Sequence, residues 1–128
     1  GNQQTKYHTN LLGLAIQNKN KLMFDWVVER KPEYLKDKFF VNEKEYNLLE
    51  FSLLNDFRVA IQLVLRNMEK EELKNLNIPK LKQLCKDNSN HLTLETFQKT
   101  YTALIYKELS SKYEQENKAT NKLKKTKI

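Results

Sequence analysis

The sequence predicts an all-α protein: a short solenoid of stacked helix-turn-helix repeats closed by a longer C-terminal capping helix. Three observations lead there. Glycine and proline are scarce, two of each in 128 residues with one glycine being Gly1, whereas sheet proteins need frequent tight turns with positive φ. Good helix formers (Leu, Lys, Glu and Gln) dominate what remains, with Asn available for left-handed helix ends. Finally, two stretches superpose without a gap at a spacing of 37 positions: NLLGLAIQNKNKLMFDWVVER (10–30) and NLLEFSLLNDFRVAIQLVLRN (47–67).

The superposition preserves residue size and apolar spacing, to which packing is sensitive. Leu11, Leu12 and Leu14 fall on Leu48, Leu49 and Phe51, small Ala15 on small Ser52, and Asn18 on Asn55. Further on, Met23, Phe24, Trp26, Val27 and Val28 fall on Ala60, Ile61, Leu63, Val64 and Leu65. A weaker third copy, KLKQLCKDN, follows at a spacing of 33, setting Leu81, Leu84, Cys85 and Asn88 on Leu48, Phe51, Ser52 and Asn55. Lys82 and Lys86 replace Leu49 and Leu53 there, so one face of this copy is polar.

Each unit reads as two short helices. Apolar residues at 11, 12, 14 and 15 make one helical face. Asn18-Lys19-Asn20 breaks it, Asn20 serves as N-cap, and a second helix runs on to a stop at Pro32. In the next unit Asn55-Asp56 is the break, with Asp56 as the cap of a helix over 57–66. The linkers KPEYLKDKFFVNEKEY and MEKEELKNLNIP each hold a helical turn, at 32–36 and 70–76. The last helix starts near Leu92, carries the stripe Leu94, Phe97, Tyr101, Leu104, Ile105, Leu109 and Tyr113, and frays beyond Glu116. The domain division is a lead-in over 1–8, the helical repeats over 9–117, and a basic disordered tail over 118–128.

The net charge of +7 belongs to that tail, where Lys118, Lys122, Lys124, Lys125 and Lys127 occur without an acid. Removing these five from the 23 basic residues leaves 18 against 16 acidic ones, a body charge of only +2. A body so balanced lacks the clustered basic face of a nucleic-acid-binding domain. No apolar run reaches the length of a membrane span, and the opening GNQQTKYHTN is no signal peptide. The chain does not begin with Met and reads as an excerpt of a longer protein. Its single cysteine, Cys85, excludes an internal disulfide and fits an intracellular, cytoplasmic setting.

A short helix, a tight break and a slightly longer helix at 33 to 37 residues resemble the ankyrin repeat. NLLGLAIQNK and NLLEFSLLND lie on that family's Thr-Pro-Leu-His-x-Ala-Ala pattern, with Leu12 and Leu49 at its leucine, Ala15 and Ser52 at its first small residue, and Asn18 and Asn55 at its asparagine. The copies are degenerate. Asn-Leu replaces Thr-Pro, Gly13 and Glu50 replace the histidine, and Lys19 and Asp56 stand where glycine would. The linkers lack the glycine of the family's projecting hairpin, so the expected fingers are missing or helical. A tetratricopeptide-like array and an ordinary five- or six-helix bundle are the competing architectures.

Residues with the makings of chemistry are few. His8, His91 and Cys85 share no metal-site spacing. Cys85 sits at the small-residue position and reads as a packed thiol. Glycine-rich phosphate loops, nucleophile elbows and zinc motifs do not occur, and the acid pairs Glu43/Glu45 and Glu71/Glu72 lie in polar linkers. The expectation is therefore a non-catalytic protein-protein interaction module without cofactor or metal, part of a larger effector or scaffold, in the cytoplasm or a host's cytosol. Trp26 and Phe24 align with Leu63 and Ile61 and read as core, whereas Phe39 and Phe40 read either as groove filler or as an exposed partner anchor. The resemblance implies a binding surface of Gly13, Gln17, Glu50 and Leu54 on the first helices and Tyr34, Lys38, Phe39 and Phe40 in the linker. The alternative is a helical domain that binds nucleic acid or an anionic membrane through the tail lysines. A third is an oligomerising piece whose end faces other repeats cover.

Overall fold

The structure is a computed structural model that describes residues 7–8 and 10–126, with side chains over 10–114. Among these residues lie seven α-helices: α1 (Leu11–Gln17), α2 (Lys21–Arg30), α3 (Leu48–Leu54), α4 (Arg58–Asn67), α5 (Lys70–Lys74), α6 (Ile78–Asp87) and α7 (His91–Thr126). A 3-10 turn spans Pro32–Lys36, and three short strands are β1 (Tyr7–His8), β2 (Phe39–Val41) and β3 (Lys44–Tyr46). The protein is thus mostly helical, but it carries a small sheet.

Asparagines set the helix starts. Asn10, Asn20, Asn47 and Asn77 each accept a hydrogen bond from the backbone N–H three residues on, at 3.0, 3.0, 2.8 and 3.2 Å, which satisfies an orphan donor of the first turn. At α3 the bond is reciprocal, because the Glu50 carboxylate accepts from the Asn47 N–H at 2.9 Å.

The helix ends repeat one another more closely still. Lys19, Asp56 and Ser89 all take positive φ, 52°, 56° and 57°. Their N–H groups donate to Ile16, Leu53 and Lys86, and the N–H groups of Asn20, Phe57 and Asn90 reach back to Ala15, Ser52 and Cys85 at 2.8, 3.0 and 2.9 Å. This double closure is the Schellman motif. In all three turns the preceding asparagine (Asn18, Asn55, Asn88) also donates its side-chain amide to the carbonyl four residues back. Residues 19, 56 and 89 stand at the spacings of 37 and 33. Asp56 is therefore the left-handed terminus of α3 and no cap of α4; the flanking residue is Phe57, which makes no side-chain capping bond.

A non-glycine side chain in the left-handed region costs roughly 1–2 kcal/mol, and glycine's greater unfolded-state freedom returns about 0.5–1 of that. Ser89→Gly is accordingly expected to raise stability by roughly 0.5–1 kcal/mol, read as a higher urea midpoint at unchanged slope. An unchanged or lower midpoint would count against strain at this turn.

The mostly helical chain agrees with the all-α expectation, and a small sheet accompanies the helices. β1 pairs with β2 and β2 with β3, both antiparallel, with Phe39 opposite Tyr46, Phe40 opposite Glu45 and Val41 opposite Lys44. The two-residue loop Asn42-Glu43 has φ of 50° and 68°, the pair of positive values that a tight hairpin turn needs to match strand twist. Asn tolerates that region and Glu43 is carried along, so the hairpin forms without the glycine whose absence argued against it.

Two apolar clusters run through the fold. The first joins Leu12, Ala15, Ile16, Phe24 and Val27 to Phe39, Leu48, Phe51, Phe57 and Ala60. The second joins Leu49, Leu53, Ile61 and Leu65 to Leu73, Leu81, Cys85 and Phe97. Side chains from α3 and α4 thus belong to both, Leu48, Phe51 and Ala60 on one side and Leu49, Leu53, Ile61 and Leu65 on the other. The pair α3/α4 lies between α1/α2 and α6/α7. Side-chain contacts bridge the joins: the Asn90 amide donates to the Leu53 carbonyl at 2.7 Å, Lys80 pairs with Glu50 at 3.1 Å, and Lys19 approaches Asp56 at 3.7 Å.

Helix α7 is 36 residues long, about 54 Å at 1.5 Å per residue. Its inner stripe (Leu94, Phe97, Tyr101, Leu104 and Ile105) packs on the second cluster, and Glu108 holds Lys74 of α5 at 3.0 Å. That ammonium keeps the Glu108 carboxyl below its ordinary value of 4.5. Beyond it Leu109 and Tyr113 stand in solvent. Helical backbone continues to Thr126, so Lys118, Lys122, Lys124 and Lys125 lie on it, while Lys127 lies outside the described residues.

Candidate functional site

The hairpin stands beside the first helices of the second and third pairs and encloses a groove with them. Lys44, Glu45 and Tyr46 of β3 form one wall, Glu50 of α3 the floor, and Lys80, Gln83, Leu84 and Asp87 of α6 the other wall, around a volume of about 290 Å³. Strand alternation sorts the hairpin. Phe39 turns into the core, where its ring stacks on Phe51 at 4.8 Å between centroids, 10° from parallel. Phe40 therefore faces the other way with its cross-strand partner Glu45.

The charges of the groove are mixed and largely matched. Glu50, mostly buried, binds both the Asn47 N–H and the Lys80 ammonium, and the Gln83 amide donates to Asp87 at 2.7 Å. Lys44 lies over the Tyr46 ring at 5.7 Å, near the outer limit for a cation-π contact. Such a lining offers donors and acceptors of both signs.

The residues expected to form the binding surface are dispersed. Glu50 lines the groove. Phe39 is fully buried, and its ring is closed to a partner; Gly13 is buried too. Phe40 is half-buried on the hairpin's outer face, and Tyr34 packs at the edge of the first cluster. Gln17 and Leu54 are half-buried at the ends of α1 and α3. Lys38 is exposed and lines a different cavity, of about 350 Å³, with Leu35, Asp37 and Met68. Trp26, expected in the core, is instead 52% exposed.

Sequence reasoning missed Lys44, Glu45, Lys80, Gln83 and Asp87. A signal for two of them was present: Gln83 and Asp87 occupy, 33 positions on, the places of Glu50 and Leu54. Carrying the surface into the third copy finds them. Lys44 and Glu45 needed the hairpin, which the missing glycine concealed.

Cys85 lies 1% exposed in the second cluster. Burial pushes its thiol up to about 11, with the Asp56 charge adding to the effect. The folded thiol therefore stays neutral until pH approaches that value, and the thiolate is the reactive form. At pH 8 a thiol reagent is expected to label the native chain on the order of 100-fold more slowly than the denatured one, with protection lost towards pH 11. Equal rates at pH 8 would refute the packed thiol. Among the described residues no group of three or more His, Cys, Asp or Glu side chains is placed to hold a metal ion, and no helix is long and apolar enough to cross a membrane. No family model matches this chain, and neither a curated protein nor a solved structure matches it.

Proposed function

We propose that this chain is a non-catalytic protein-binding module, a short stack of three degenerate ankyrin-like units, and that it holds its partner in the groove between the hairpin and the first helices. The observation carrying this reading is the hairpin itself. A projecting finger between the first two helix pairs, set beside α3 and α6, is the arrangement that the resemblance implies for a binding face. The recurrent Schellman turns at 19, 56 and 89 support the like-unit reading, since the same backbone closure returns at the spacings of the sequence repeat. The groove's matched charges support a polypeptide partner over a polyanion. A nucleic acid would instead ask for an uncompensated basic wall.

The rival source of binding is the lysine-rich end of α7. Salt separates the two, because contacts to nucleic-acid phosphates release counterions and weaken steeply with ionic strength. Affinity capture from lysate with the intact chain and with one ending at Asn117, at low and high salt, tests the proposal. The expected result is a discrete protein held by both chains in high salt. Capture of nucleic acid or acidic lipid, lost with residues 118–128 or with salt, would overturn it.

A further inference from the structure

We propose that the N-terminal end of the stack is a second interaction surface, which accepts a further helix-turn-helix unit of the same kind as α1/α2. The inference rests on reading the helix pairs as like units and is independent of what occupies the groove. Each pair has a leading side and a trailing side. In α3/α4 the leading side is Leu48, Phe51, Ala60 and Leu63, and all four pack into the first cluster against Leu12, Ile16, Phe24 and Val27 of α1/α2. The trailing side, Leu49, Leu53, Ile61 and Leu65, packs into the second cluster against the third pair.

Translating these sides along the sequence identifies both ends. The trailing positions of the third pair are Lys82, Lys86, Leu94 and Gln98; Leu94 turns inward onto the second cluster, and the other three are polar, as suits an outer face of the stack. The leading positions of the first pair are Leu11, Leu14, Met23 and Trp26. These are as apolar as their covered equivalents, yet Leu11, Leu14 and Trp26 are 47%, 41% and 52% exposed where Leu48 and Phe51 are 3% and 0%. Leu22 beside them is 82% exposed. Arg30 lays its guanidinium over the Trp26 ring at 4.3 Å, shielding one ring face.

The fold itself states what covers such a side. Leu48, Phe51, Ala60 and Leu63 are covered by the trailing side of a preceding helix pair, so the matching occupant presents apolar side chains spaced as Leu12, Ile16, Phe24 and Val28. A second copy stacked head to tail would bring Lys82, Lys86 and Gln98 against this apolar end and leave the lysines desolvated without partners. The occupant is therefore a helix pair with an apolar trailing side, and this chain's own third pair does not supply one.

The test uses the whole chain with residues 10–46 duplicated in tandem ahead of residue 47, carrying Trp26→Phe in the first copy so that only the inner Trp26 reports. The expected result is a shift of its emission to shorter wavelength and a severalfold fall in acrylamide quenching relative to the parent chain. The cooperative transition should be retained, and Leu14→Glu in the inner copy should reverse the burial. An inner Trp26 as quenchable as in the parent would overturn the proposal, as would loss of the cooperative transition, because a compatible unit adds an interface. Concentration-dependent dimerisation of the parent chain that shields Trp26 would overturn it as well, by giving the face to a second copy. No partner of the groove is scored, so failure here leaves the groove reading untouched.

Discussion

Phe51→Ala is expected to destabilise the protein by about 3–5 kcal/mol, a large part of the 5–15 kcal/mol that a domain of this size typically holds. Phe51 is fully buried and stacks on Phe39, so truncation removes the transfer free energy of a phenyl ring and leaves a cavity that rigid neighbours fill poorly. It also removes an aromatic contact of about 0.5–1.5 kcal/mol beyond the area term. Because Phe39 begins β2 and lies across from Tyr46, the hairpin loses its anchor too. The measurement is a urea titration followed by far-UV circular dichroism. A loss below about 1 kcal/mol would show that the stack contributes little.

Phe97→Ala is expected to cost a similar amount, about 3–5 kcal/mol, at the opposite join. Phe97 is 1% exposed, stacks on Tyr101 at 5.8 Å, and is the deepest anchor of α7 in the second cluster. Farther along α7, the large side chains Tyr106, Leu109 and Tyr113 are exposed and give no such anchor. Losing Phe97 therefore removes much of what holds the long helix. If neighbouring pairs unfold together, as nearest-neighbour coupling predicts for a short stack, both variants shift one transition without splitting it. A Phe97→Ala chain that melts in two steps, α6 and α7 first, would locate weak coupling between the second and third pairs.

Much of the helical framework was legible because spacing and size are read directly. Asn20 marked a helix start and the recurring Asn18, Asn55 and Asn88 marked ends, and Ala15, Ser52 and Cys85 marked the small buried column. Two things were not legible, each for a physical reason. The hairpin was hidden because Asn42 and Glu43 adopt a glycine-like conformation without glycine. Trp26 aligned with half-buried Leu63, but Leu63 packs against the first helix pair, whereas Trp26 lies on the exposed side of that pair. Of the groove, Glu50 alone was anticipated; the rest needed the hairpin to exist and the third copy to be treated like the first two.

The most direct test of the groove as a binding surface is amide hydrogen exchange on the chain with and without its captured partner. The account predicts slowed exchange over Lys44–Tyr46 and Lys80–Asp87, with the surface of α7 beyond Ile105 unchanged. Protection confined to residues beyond Asn117, with the hairpin and α6 exchanging as in the free chain, would contradict it.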